Sequence, residues 1–143
     1  ALTRLFLPDM VRRGSGRILN VASAAAFFPG PLQAVYYATK AYVLSFSQAI
    51  AEEVRDKGVT VTALCPGAVD TGFVKAANVE GVSGFNERAN AYEVARIGYE
   101  AMLKGKLVVF NTLKHKILLE WIVPFLPRRL ILNISRQMME KNK

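Results

Sequence analysis

What most constrains this chain is an alternation: a short apolar run, a long helical stretch and a second short run of β-branched residues, each run ending in residues that carry chemistry. Arg17 to Ala22 reads as a buried strand, and Val59 to Leu64 as a strand of alternating Val and Thr. Between them Pro29-Gly30-Pro31 breaks structure. A helix comes next, from about Gln33 or Val35 to Asp56, with a solvated end at Glu52 to Lys57 and Gly58 placed to cap it. With 143 residues, 52% of them hydrophobic, the chain can bury the core of one α/β domain. Open α/β sheets bind ligands at the carboxyl ends of their strands. The residues just past each strand therefore matter most: Ser23 after the first, the Pro66-Gly67 turn after the second.

Tyr36 and Lys40 stand four positions apart on the intervening helix, so they share a face one turn apart. A phenol is a poor base at neutral pH, but a neighbouring cation favours the phenolate and brings proton transfer toward working range. Ser23, thirteen residues before Tyr36, can hydrogen-bond the same substrate oxygen that Tyr36 protonates. Tyr37 has Ala41, not a lysine, four residues on, so Tyr36 takes the role. At the second strand's end Pro66 needs no amide donor and Gly67, lacking a side chain, lets backbone approach a ligand.

Ser23, Tyr36 and Lys40 at this spacing, the lead-in Gly16-Arg17-Ile18-Leu19-Asn20-Val21-Ala22 and the segment Pro66-Gly67-Ala68-Val69-Asp70-Thr71 together resemble the short-chain dehydrogenase/reductase family. The resemblance implies the C-terminal part of a Rossmann-like, doubly wound parallel α/β sheet and an NAD(P)-dependent oxidoreductase acting on a carbonyl or secondary alcohol. It makes Ser23, Tyr36 and Lys40 catalytic. Tyr36, Lys40, Pro66, Gly67, Val69 and Thr71 would hold the cofactor, NAD(P) with NADP slightly favoured; Lys40 would hold the nicotinamide ribose, and the backbone near Val69 with the Thr71 hydroxyl the carboxamide. In the family the helix bearing Tyr36 often packs on its copy, so Ala38, Ala41, Leu44, Ser45, Ala49 and Ala51 imply a homo-oligomer. The aperiodic, glycine-dotted stretch from Gly72 to Glu87 corresponds to the family's substrate lid. There Ser23 with Phe73, Val74 and Phe85 would contact a hydrophobic carbonyl or alcohol substrate.

The match departs from the family at the front. Leu2 to Arg13 has a helical pattern that Pro8 interrupts, leading to Gly14-Ser15-Gly16. No G-x-x-x-G-x-G or G-x-G-x-x-G cluster occurs, although such a turn and the helix behind it hold a dinucleotide pyrophosphate. The family's catalytic asparagine would fall just before Ala1. The chain thus reads as the second half of a family member, inactive alone. An inactive truncated product and a membrane-surface binding module are the rival readings.

Beyond the lid, Asn90 opens a helix with Glu93 three residues later, Gly105 stops it, and Lys106 to Phe110 forms a last strand. Residues 1–110 then form the Rossmann-like part and 111–143 a basic, amphipathic helical extension. Lys104, Lys106, Lys114, Lys116, Arg128, Arg129, Arg136, Lys141 and Lys143 stand against Glu120 and Glu140, so residues 101–143 hold seven of the chain's net eight positive charges. Apolar residues from Ile117 to Ile134, including Trp121, are interleaved and broken by Pro124 and Pro127. No run is long enough to cross a bilayer; the extension either makes a peripheral contact with a membrane interface or packs on the core or a partner. Aliphatic anchors and the lack of a recognition motif argue against nucleic acid. The single Cys65 is consistent with a reducing compartment and reads as a buried structural thiol, and the single His115, between two lysines, belongs to no metal cluster. The expected location is cytoplasmic, with membrane association as the alternative if the extension makes the peripheral contact.

Overall fold

The computed structural model describes residues 2–85 and 87–140. A three-stranded parallel sheet lies at its centre in the order β1 (Gly16–Val21), β2 (Val59–Leu64), β3 (Val108–Val109). β1 and β2 pair along their whole length, Gly16 opposite Val59 and Val21 opposite Leu64. β3 is shorter than the expected Lys106 to Phe110 strand: only Val108 and Val109 pair, with Ala63 and Leu64. Side chains alternate across β2 as the pleat requires. Val59 and Val61 pack with Leu7, Met10 and Val11 of α1 (Leu2–Arg12) and Ile50 and Ala51 of α2 (Ala34–Glu53). Leu64, of opposite parity, meets Gly98 of α4 (Ala91–Leu103), a helix that comes after the short α3 (Phe73–Ala76). Helices thus cover both faces, and the α/β, Rossmann-like reading holds.

Local chemistry explains most boundaries. α2 ends at Glu53 and passes into a 3-10 turn, Arg55–Lys57, so Gly58 caps that turn and not the α-helix. Its φ of +69° is one that side chains oppose. Asn90 caps α4 by accepting from the amides of Tyr92 and Glu93. Pro8 does not break α1; it lies within the helix, which runs on to Arg12. Proline lacks the amide that would bond back one turn, but the apolar side chains on α1 still dock on the sheet face and hold the helix together.

The extension consists of α5 (Leu113–Lys116), a π-helical turn over Ile117–Ile122, a 3-10 turn at Val123–Phe125 and α6 (Arg128–Met139). It is built onto the core. Leu119 joins Ala22, Leu44, Ala63, Cys65 and Phe110 in one buried cluster, and Met139 joins Tyr37, Val74, Val79 and Val82 in another. The buried Ser135 donates to the Pro29 carbonyl at 2.7 Å, tying α6 to the turn before α2. Among the described residues no helix is long and apolar enough to cross a membrane.

Candidate active site

A cleft of about 450 Å³ opens at the carboxyl ends of β1 and β2. It brings together Ser23, Tyr36, Lys40, Pro66, Gly67, Val69, Thr71 and Phe73 from stretches far apart in the chain. Val74 is not among them: it turns inward and is buried in the cluster with Tyr37 and Met139. Phe85 ends a short 3-10 turn, Ser83–Phe85, and its side chain, like Asn86, lies outside the described part.

Each hydroxyl and amine has a definite local setting. Ser23 leaves β1 in extended conformation and caps the 3-10 turn Ala24–Phe27, its Oγ accepting from the Ala25 amide at 3.1 Å. Its own proton remains free to donate into the cleft. Tyr36 and Lys40 face the same side of α2, with the lysine Nζ 5.7 Å from the ring centroid, over the face of the phenol. Nζ also donates to the Val21 carbonyl at 3.3 Å, which anchors it to the end of β1. Burial holds the Lys40 pKa below the usual lysine range, with the Cys65 thiol beside it opposing that shift. The Phe73 ring lies against Tyr36 at 5.3 Å between centroids and walls one side of the cleft.

Tyr37, the neighbour on the helix, points into the core. Burial pushes its pKa up to about 12, helped by Tyr36 beside it, and its hydroxyl reaches the Met139 sulfur at 3.5 Å. Cys65 is fully buried, and burial likewise pushes its thiol up to about 12. It is a packed residue, as its position between an apolar run and a proline suggested.

The Pro66-Gly67 turn is organised differently from the expected bare backbone surface. The Gly67 amide is taken up by Asn111 Oδ1 at 3.1 Å. The space a side chain would fill is occupied by His115: a Cβ on Gly67 would lie 2.5 Å from Cε1 of the imidazole and 2.9 Å from Nε2. Glycine is needed here for the close approach of a side chain from the extension. Val69 pairs with Ala89 through the Asp70 amide and the Ala68 carbonyl, at 2.9 Å each. That pairing leaves the amide and carbonyl of Val69 itself pointing the other way. Thr71 accepts from the Phe73 amide at 3.3 Å and keeps its hydroxyl proton.

Residues 1–80 match the family described as short chain dehydrogenase. The chain belongs to that family. It is 34% identical over 137 residues to a very-long-chain 3-oxoacyl-CoA reductase of Macaca fascicularis, covering 96% of this chain and 42% of the relative. A 17-beta-hydroxysteroid dehydrogenase type 3 of Mus musculus is 43% identical over 77 residues, 54% of this chain and 25% of the relative. Among solved structures, a short-chain dehydrogenase from Sphingobium yanoikuyae in complex with NADPH superposes with a TM-score of 0.67 at 30% identity, over 74% of this chain and 41% of that one. This short-chain dehydrogenase chain thus spans less than half the length of each of these relatives.

Several cleft residues were not legible as such in the sequence. His115, Leu118 and Leu119 reach the cleft from the extension, and Met138 and Met139 from the end of α6. Their only sequence signal was the apolar content of a segment more than seventy residues beyond Tyr36, and no local periodicity says which way such a segment folds back.

Proposed function

We propose that these residues form the proton-transfer half of an NAD(P)-dependent oxidoreductase that reduces a carbonyl on a hydrophobic, acyl-type substrate. The observation that carries this reading is the convergence of the Ser23 hydroxyl, the Tyr36 phenol and the Lys40 ammonium on one cleft with largely apolar walls. The 3-oxoacyl-CoA and hydroxysteroid names of the relatives support a hydrophobic ketone or alcohol as substrate. The NADPH complex among the structural neighbours supports NADP as cofactor.

The cleft fits such a cofactor in its own terms. The amide and carbonyl of Val69, which its pairing with Ala89 leaves unused, would suit a carboxamide, and Thr71 and Lys40, which line the same cleft, would supply further polar contacts to the cofactor. A bound reduced nicotinamide supplies hydride to the carbonyl carbon. Ser23 donates a hydrogen bond to the carbonyl oxygen, and Tyr36 gives that oxygen its phenolic proton as the alcohol forms. The Lys40 ammonium, held over the Tyr36 ring, would offset the negative charge left on the phenol oxygen. Activity in this reading also needs a glycine-rich, pyrophosphate-holding turn, which none of the 143 residues supplies.

The test is NADPH oxidation with a 3-oxoacyl thioester, run on the chain alone and on a protein carrying these residues together with a glycine-rich half. Turnover is expected only in the second, and Tyr36→Phe should lower its kcat by at least about a hundredfold. Full activity of Tyr36→Phe would sink the assignment.

A second reading concerns the outer face of the extension. Trp121 is 68% and Phe125 82% exposed, and Lys114, Lys116, Arg128 and Arg129 are exposed as well. An aromatic and basic surface of this kind suits an anionic lipid interface. Because the extension shares the core, the test uses Trp121→Ser with Phe125→Ser and not a deletion. Vesicles containing phosphatidylserine should sediment the parent chain and not the double variant; equal sedimentation would dispose of the reading.

A further inference from the structure

Apart from Tyr37, whose hydroxyl is turned to Met139, the cleft holds among the described residues one polar side chain that the proposed reaction does not use, and it comes from the extension. The His115 backbone amide donates to Thr112 Oγ1 at 3.2 Å, and the same oxygen lies 2.7 Å from Nδ1 of the ring. Thr112 Oγ1 thus already accepts one hydrogen as the cap of α5 and has its own to give. Donating that proton to Nδ1 satisfies both groups and leaves the neutral ring with its hydrogen on Nε2. Nε2 has no hydrogen-bond partner among the described residues and rests over Gly67 on the cleft wall. Burial, with Lys114 nearby, holds the imidazole pKa below its ordinary value, so the neutral form prevails at physiological pH.

Gly67 comes directly after Pro66, whose carbonyl accepts from the Ala24 amide at 2.8 Å, so this donor stands beside the strand end that carries Ser23. We propose that His115 is a specificity-determining residue whose Nε2–H binds a second oxygen on the substrate, the thioester carbonyl of a 3-oxoacyl chain, while Ser23 and Tyr36 hold the ketone. This rests on the carbonyl-reducing reading above. Selection between substrates results from it: a 1,3-dicarbonyl substrate satisfies the His115 donor, whereas an isolated ketone leaves it unpaired within a largely apolar cleft.

The experiment compares kcat/KM for a 3-oxoacyl thioester and for a simple ketone of equal chain length, in a protein that carries these residues with a glycine-rich half. His115→Phe keeps a ring over Gly67 but removes the donor. It should lower kcat/KM for the 3-oxoacyl thioester by about threefold to tenfold, the range for one neutral hydrogen bond, and leave that for the simple ketone undiminished or raised, because the donor it would strand is gone. His115→Gln, which keeps an N–H donor, should recover part of the loss and serves where the phenylalanine variant folds poorly. An equal fall for both substrates, or no fall for either, overturns the proposal. A wild-type protein that reduces neither substrate overturns the carbonyl-reducing reading itself, and this inference with it.

Discussion

Tyr36 and Tyr37 share a helix, differ by one step of rotation and end in opposite environments. Tyr36 faces the cleft beneath Lys40, whereas Tyr37 is 6% exposed and its hydroxyl meets the Met139 sulfur. A hydroxyl bound this weakly contributes little, so Tyr37→Phe should change stability by less than about 1 kcal/mol and leave turnover intact. A large loss of turnover in that variant, measured beside Tyr36→Phe, would show that the proton donor had been misassigned. Cys65 makes a second claim at this scale. Its thiol titrates near its ordinary value of 9.0 when unfolded and near about 12 when folded. Between those pH values the unfolded chain has lost the proton and the folded chain keeps it, so stability falls as pH rises through that window and is unaffected by Cys65 below it. Tyr37 acts with the same sign from about 10 upward and Lys40 with the opposite sign. Urea melts of wild type and Cys65→Ala at about pH 7 and about pH 10.5 should show a smaller alkaline loss in the variant; identical losses would contradict the burial argument.

The elements that were legible in the sequence are those whose local signals agree with their packing. β2 matches its expected span, Val59 to Leu64, because its Val and Thr alternation is the pleat itself. α4 begins at its asparagine cap. The expectations that moved depended on partners distant in sequence. β3 shrinks to the two residues that pair with β2, and just before them the Lys106 carbonyl is taken up by the Thr62 hydroxyl, which donates to it at 2.6 Å. α1 survives its proline because the sheet holds it. The pairing of Tyr36 with Lys40 on one helix face was readable since the two lie one turn apart, while the place of His115 was not, because it depends on Gly67 across the fold. One joint between elements is testable directly. Asn20 of β1 donates to Ser47 Oγ of α2 at 2.9 Å, and Ser47, fully buried, donates onward to the Val43 carbonyl at 2.7 Å. Ser47→Ala strands the Asn20 amide and should cost about 1–3 kcal/mol of unfolding free energy. A neutral substitution in a denaturant titration would mean that the strand and helix are held by apolar packing alone.

At the scale of the molecule, the basic extension is part of what the sheet folds against. Leu119 is 2% exposed and packs with Ala22 after β1, Leu44 of α2 and Ala63 and Cys65 at the end of β2, beneath the cleft floor. Met139 and Ser135 do the same at the other end, against Tyr37 and Pro29. A segment attached this way cannot loosen without exposing the interior of the sheet domain, which divides the extension into two faces with different duties: an inner one that completes the core and an outer one that carries Trp121 and Phe125. Leu119→Ala should therefore destabilise the whole chain, by about 2–5 kcal/mol for a buried leucine truncated in a packed core. Hydrogen exchange is the measurement that separates a global from a local effect. Amides of β2 and α2 should lose protection together with those of α6 in the variant. Loss confined to residues 113–139, with β2 protection unchanged, would mean that the extension is an appendage, and that the cleft keeps its shape without it.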